Sequence, residues 1–215
     1  MTRRAFLGAR IFDGEEWIEG SALLVNDGVV EGVVAAADVP FGVARHELDG
    51  GMLVPGFIDL QVNGGGGVLL NDERSLAGLR TICSAHYQFG TTALLPTLIT
   101  DAPGITAETI EAGKAAIAEQ VPGFIGLHLE GPHLSIARKG AHDPALIRPM
   151  NEDDLANLIA ARQALPHLLS TVAAETVTPA QIARLTEAGV VVSIGHSDAS
   201  MAQVAAAAEA GASMA

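Results

Sequence analysis

Glu130 and His196 are the residues whose type and setting best suit chemistry. Glu130 closes the run Gly126-Leu127-His128-Leu129-Glu130 just before Gly131-Pro132-His133, and His196 closes Val190-Val191-Val192-Ser193-Ile194-Gly195 just before Ser197-Asp198. A carboxylate and an imidazole at the ends of two strands are hard-to-borderline ligands for Zn²⁺ or a similar divalent ion. Such an ion lowers the pKa of a bound water to about 7, which makes hydroxide accessible at neutral pH. The competing reading pairs Glu130 with a neighbouring arginine and makes His196 a satisfied core histidine. Residue type and spacing leave both readings open.

Elements must bring these positions together, and the sequence predicts which. Strands are expected over 52–62, 91–96, 124–130, 168–174 and 190–195, and helices over 76–89, 107–118, 152–165, 179–188 and 200–210. Parallel strands need crossovers, so this alternation predicts a parallel α/β sheet or barrel. The run Met52 to Val62 reads as one strand buried on both faces. Gly64-Gly65-Gly66-Gly67 lacks the spacing and following helix of a dinucleotide fingerprint. A complete (β/α)₈ TIM-type barrel takes about 250 residues. Five strand–helix units fit in 52–215, with a sixth strand expected to begin at 212–215, so an incomplete barrel is predicted. Residues 1–51 read instead as a small β domain of short strands, with a hairpin at Asn26-Asp27-Gly28.

In parallel α/β folds the chemistry sits at the carboxyl ends of the strands. Read in order, those ends offer Asp59, Gln61 and Asn63; then Pro96 and Thr97; His128 and Glu130; Glu175; and His196, Ser197 and Asp198.

Composition narrows the function. With 49% hydrophobic and 17% charged residues, the chain has the apolar content of a folded domain rather than a disordered one. A net charge of −13 repels phosphate backbones and argues against a nucleic-acid partner. The single Cys83 cannot form an internal disulfide and is expected as a buried thiol, in keeping with a cytoplasmic location. Arg3 and Arg4 precede an apolar stretch too short for a signal peptide, and the Ala-rich 201–215 stretch is broken by Glu209 and Gly211, so no membrane partner is expected.

Five segments, in order along the chain, closely resemble the N-acetylglucosamine-6-phosphate deacetylases of the amidohydrolase superfamily. They are Val54-Pro55-Gly56-Phe57-Ile58-Asp59-Leu60-Gln61-Val62-Asn63-Gly64-Gly65-Gly66-Gly67, Gly90-Thr91-Thr92-Ala93-Leu94-Leu95-Pro96-Thr97, Gly126-Leu127-His128-Leu129-Glu130-Gly131-Pro132, Lys139-Gly140-Ala141-His142 and Ser193-Ile194-Gly195-His196-Ser197-Asp198-Ala199. The resemblance implies a (β/α)₈ barrel with a small β-sandwich drawn from both chain ends, of which residues 1–51 are the N-terminal part. It implies hydrolysis of the acetamide of N-acetylglucosamine 6-phosphate to glucosamine 6-phosphate and acetate, with Glu130 as carboxylate ligand and His196 as the first imidazole ligand. His142 matches a catalytic, substrate-contacting histidine whose N–H stabilises charge on the acetyl oxygen.

Many relatives carry His-x-His at the end of strand one, where this chain has Gln61-Val62-Asn63. One divalent ion is therefore expected, zinc first, with iron, manganese and cobalt as alternatives. Gln61 and Asn63 are then expected as substrate contacts. His133 is expected to be structural, and Glu175 and His128 to support the site. The glycines after Asn63 either bring backbone N–H groups to a ligand or form a flexible turn. A second imidazole ligand, a proton-transferring Asp and the phosphate-binding residues are expected beyond residue 215, so residues 1–215 alone are expected to be inactive. The intact enzyme is expected to be a homodimer. The alternatives are a non-catalytic remnant, or action on another N-acetylated amino sugar or a cyclic amide.

Overall fold

The computed structural model describes residues 2–215, and the chain divides into two units, Met1–Gly56 and Phe57–Ala215. The first unit holds β1 (Arg3–Leu7), β2 (Arg10–Phe12), β3 (Trp17–Ile18), β4 (Ser21–Asn26), β5 (Val29–Ala35), β6 (Ala44–Glu47) and β7 (Met52–Leu53). They form a four-stranded sheet in the order β5-β4-β1-β6 and a three-stranded sheet in the order β3-β2-β7. Alternate residues of β1 and β4 point inward, so Ala5, Leu7, Ala22 and Leu24 make a small core with Val39. The predicted hairpin is present: Asp27 (φ 47°) and Gly28 (φ 84°) both adopt the left-handed geometry of a two-residue turn.

The second unit contains β8 (Phe57–Val62), β9 (Gly64–Gly65), β10 (Val68–Leu69), α1 (Leu76–Tyr87), β11 (Thr91–Ile99), α2 (Pro103–Ala118), β12 (Gly126–Glu130), α3 (Glu152–Ala164), β13 (His167–Val172), α4 (Pro179–Glu187), β14 (Val191–Ile194) and α5 (Met201–Glu209). Five strands pair in parallel in the order β14-β13-β12-β11-β8. The spatial order follows the chain order, with no reversal of the kind that marks a doubly wound sheet. The architecture is an incomplete (β/α) barrel. Ser213 and Met214 run parallel beside β14, through Ser213 N to Val192 O (3.1 Å) and Ile194 N to Met214 O (2.8 Å). Leu79, Ile82, Leu94, Leu127, Leu155, Leu168, Ile182 and Leu185 pack the core between strands and helices.

Capping explains most helix starts. Side chains of Ser75, Asn151, Thr178 and Ser200 accept backbone N–H groups at the N-termini of α1, α3, α4 and α5. Helix α2 begins at Pro103, earlier than the sequence suggests, because a proline at the first helical position has φ already set and no N–H to satisfy.

Two strand expectations are corrected. The run Met52 to Val62 is not one strand: β7 pairs with β2 in the first unit and β8 with β11 in the second, with Pro55-Gly56 between them. Proline lacks the ladder donor, and the strand breaks there. Nor is β8 buried on both faces. It stands at one end of the sheet order, and Phe57 and Ile58 are 64% and 65% exposed. Strand β11 runs on to Ile99, past Pro96, and its register against β8 shifts between Leu94 and Pro96. The bulge accommodates the missing proline N–H.

Candidate metal centre

Glu130 is the last residue of β12, whose five residues are all buried. Gly126 opens that strand at φ +154°, where a Cβ would overlap the His167 carbonyl, so only glycine allows β12 this approach to β13. The Glu130 carboxylate meets three partners. Oε2 accepts from Gln61 Nε2 at 3.1 Å, while Oε1 lies 2.9 Å from His196 Nε2 and 3.8 Å from His142 Nε2. Among the described residues, Glu130, His142 and His196 form a group whose ligand atoms all lie within 4.8 Å of one another.

His196 follows β14 with φ +49°, a left-handed conformation uncommon outside glycine. Two contacts from the loop after β12 hold it there. Ser135 N donates to His196 O at 2.9 Å, and His196 Nδ1 lies 2.8 Å from Arg138 O. A carbonyl only accepts, so Nδ1 carries a proton, and Nε2 faces the Glu130 carboxylate. Behind this turn, Glu175 accepts from Ser197 Oγ at 2.6 Å and from Asp198 N at 2.8 Å. Arg138 Nε donates to Asp198 Oδ1 at 2.9 Å.

His142 has the opposite polarity. Its Nδ1 accepts from the Thr100 backbone N–H at 3.3 Å and lies 2.8 Å from Thr100 Oγ1. An amide only donates, so Nδ1 is the acceptor and the ring proton sits on Nε2. The two imidazoles meet edge to face, with centroids 4.6 Å apart.

The donor set fits a cation. His196 Nε2 lies 2.9 Å from a carboxylate oxygen, a pairing that a shared proton or a metal ion held by both groups satisfies. Arg138 O supplies the outer partner by which metal-ligating histidines are oriented. His142 exerts the largest influence on the Glu130 carboxyl, lowering its pKa. Burial pushes the other way, and the charges of His142, His128 and His196 leave the group held below the usual carboxylate range.

The other sequence candidates fall into place around these three. Asn63 lines a cleft of about 350 Å³ with Asn71, Ile99, Glu130, His142 and His196. His128 stays apart from the group. Its nitrogens lie 3.3 Å from Thr97 Oγ1 and 2.8 Å from Thr171 Oγ1, and burial lowers its pKa against the pull of Glu130. His133 is buried, with Nδ1 3.1 Å from Arg148 O. The glycine run is not a free loop. Gly64-Gly65 pairs with Val68-Leu69 in a hairpin, and His86 Nε2 on α1 lies 2.9 Å from Gly64 O.

Comparison with known proteins places the chain. A model of the amidohydrolase family matches residues 52–213, and one of the NagA composite domain matches residues 5–53. The chain belongs to the amidohydrolase family. This amidohydrolase chain is 44% identical, over 96% of its length and 52% of the relative's, to the N-acetylgalactosamine-6-phosphate deacetylase of Shewanella sp. (strain ANA-3). It is 32% identical, over 91% of its length and 51% of the relative's, to the N-acetylglucosamine-6-phosphate deacetylase of Haemophilus influenzae. The crystal structure of N-acetylglucosamine-6-phosphate deacetylase from Pasteurella multocida superposes with a TM-score of 0.92 at 33% identity, covering 98% of this chain and 55% of that one. The chain thus spans about half the length of the curated relatives it matches.

Sequence reasoning missed the residues that orient the amidohydrolase imidazoles. Thr100 lies past the predicted end of its strand, and Arg138 acts through its main chain, for which no side-chain signal exists. Asn71 was also missed. It accepts from Ile99 N at 3.2 Å and donates to Asp101 Oδ2 at 2.9 Å, which fixes the end of β11 beside the cleft. Among the described residues, no helix is long and apolar enough to cross a membrane.

Proposed function

We propose that this chain supplies metal ligands and a hydrogen-bond donor to an enzyme that hydrolyses the acetamide of a 6-phosphorylated N-acetylated hexosamine. The observation that carries the reading is the approach of His196 Nε2 to Glu130 Oε1 at 2.9 Å, within a group of ligand atoms completed by His142, at the carboxyl ends of barrel strands. In the proposal Glu130 and His196 hold one divalent ion. Zinc is assigned because carboxylate with imidazole suits it, and iron, manganese and cobalt accept the same donors. When bound, such an ion polarises an acyl oxygen and makes a water more acidic. His142 is assigned as a donor to the acyl oxygen rather than as a ligand, because the Thr100 amide leaves its proton on Nε2. Asn63, on the cleft wall, is assigned to substrate contact.

Two sugars compete. The deacetylase reading from the chain's motifs names N-acetylglucosamine 6-phosphate. The relative at 44% identity acts, by its name, on the galactosamine epimer and favours that sugar. Acetate release by the metal-loaded protein that carries this chain, measured with both 6-phosphates, separates them. The preferred epimer is expected to show the higher kcat/KM. No metal-dependent acetate release from either sugar would refute the function, and metal analysis of the purified protein identifies the ion.

A further inference from the structure

We propose that Gln61 is a positioning residue for Glu130. Its side-chain amide holds Oε2, so that the carboxylate offers Oε1 alone to the ion. This rests on the metal reading above and adds a role for the residue that ends strand β8.

The geometry is specific. Gln61 Nε2 donates to Glu130 Oε2 at 3.1 Å, while both imidazoles address Oε1, at 2.9 and 3.8 Å. The ionised carboxylate only accepts, so Gln61 must present its NH₂ and not its carbonyl. A free carboxylate can chelate an ion through both oxygens. With Oε2 engaged by an N–H, one oxygen is directed at the ion and the other is tethered to the barrel wall. Outer contacts of this kind set the orientation and affinity of metal ligands.

The tether also spans the sheet. Strand β11 lies between β8 and β12, so the bond joins strands that are not neighbours. The Gln61 backbone is itself fixed on both sides: its N–H donates to Asp59 Oδ1 at 3.1 Å, and the next N–H, on Val62, donates to the buried Thr97 hydroxyl at 2.9 Å. An imidazole at this position would offer a ring lone pair to an ion. The amide nitrogen has none, is neutral across the working pH range, and acts only as a donor.

The test is Gln61→Met, which keeps length and removes the donor, in the protein that carries this chain. Zn²⁺ affinity is read by competition with a chromophoric chelator, alongside thermal unfolding of the metal-free forms. The expected result is a Kd weakened about 10–100-fold with metal-free unfolding unchanged. An unchanged Kd overturns the proposal. A second measurement needs no variant. In the unsubstituted chain loaded with Zn²⁺, one Gln61 side-chain amide proton is expected to be protected from exchange in ¹⁵N-resolved spectra. Exchange at the rate of a free amide overturns the proposal even if the variant fails to fold. Glu130→Gln separates the two readings. If it binds Zn²⁺ as tightly as the unsubstituted chain, the metal assignment fails and this proposal falls with it. If it loses Zn²⁺ and Gln61→Met does not weaken binding, only the positioning role fails.

Discussion

His196 Nε2 and Glu130 Oε1 face each other at 2.9 Å from the ends of β14 and β12, strands separated by β13. Because Nδ1 donates to Arg138 O, Nε2 is the ring nitrogen turned to the carboxylate. Zn²⁺ placed between them is expected to raise the melting temperature, and excess chelator to reverse the rise. A ligand at a hundred times its Kd adds about 2.7 kcal/mol to stability. Glu130→Gln and His196→Ala should each abolish the shift, as read by differential scanning fluorimetry. A shift that survives in both variants would place the ion elsewhere.

Gly131 follows Glu130 with φ +89°, and a Cβ there would overlap the Thr100 hydroxyl. That hydroxyl is also the partner of His142 Nδ1. Gly131→Ala therefore combines a disfavoured backbone with a steric clash against the group that orients the imidazole. A loss of at least about 1 kcal/mol is expected, together with weaker Zn²⁺ binding. Urea unfolding and chelator competition measure the two effects, and a substitution neutral in both would show the loop to be more adaptable than its contacts suggest.

Cys83 is buried on α1, where desolvation pushes its thiol pKa up to about 11. The thiolate is the reactive form, so the native chain should resist thiol reagents at pH 8. Labelling with a chromogenic disulfide should be complete in denaturant and slow without it, at a rate that follows unfolding. Rapid stoichiometric labelling of the native chain would contradict the burial.

Asp154 fixes the start of α3 from two directions, since Arg148 Nη2 donates to its Oδ1 at 2.7 Å and Asn151 N to its Oδ2 at 3.1 Å. Burial raises its carboxyl pKa, but the bonds from Arg148 and Asn151 and the nearby His133 and Arg148 charges outweigh burial and leave it below 3.8. With the folded pKa depressed, the stabilisation is fully present above the unfolded value and is lost as pH falls through the folded one. Asp154→Asn is expected to cost about 1.5–3 kcal/mol at pH 7. The gap between variant and parent should close as pH falls below about 4. Denaturation midpoints across that range provide the check, and a gap independent of pH would remove the ion pair from the account.

Much of the fold was legible because it depends on local chemistry. Alternating apolar runs and helical stretches, punctuated by Gly90, Gly189 and Gly211, specify parallel strands with crossovers, and Asn26-Asp27-Gly28 specifies a hairpin. The run 52–62 shows where that stops. Apolar content marks a residue as fit for burial, but whether Phe57 and Ile58 are covered depends on what stands beside β8.

The sequence by itself determined the family, the barrel order and the kinds of side chain at the strand ends, because motif residues and hydrophobic period are properties of residue type. Tertiary structure alone decided how those side chains divide the work. The Arg138 carbonyl and the Thr100 amide fix which ring nitrogen of His196 and of His142 turns to Glu130, and main-chain groups are the same in every residue. The reach of Gln61 across β11 to Glu130 Oε2 likewise depends on the curvature of the sheet, which no single segment encodes.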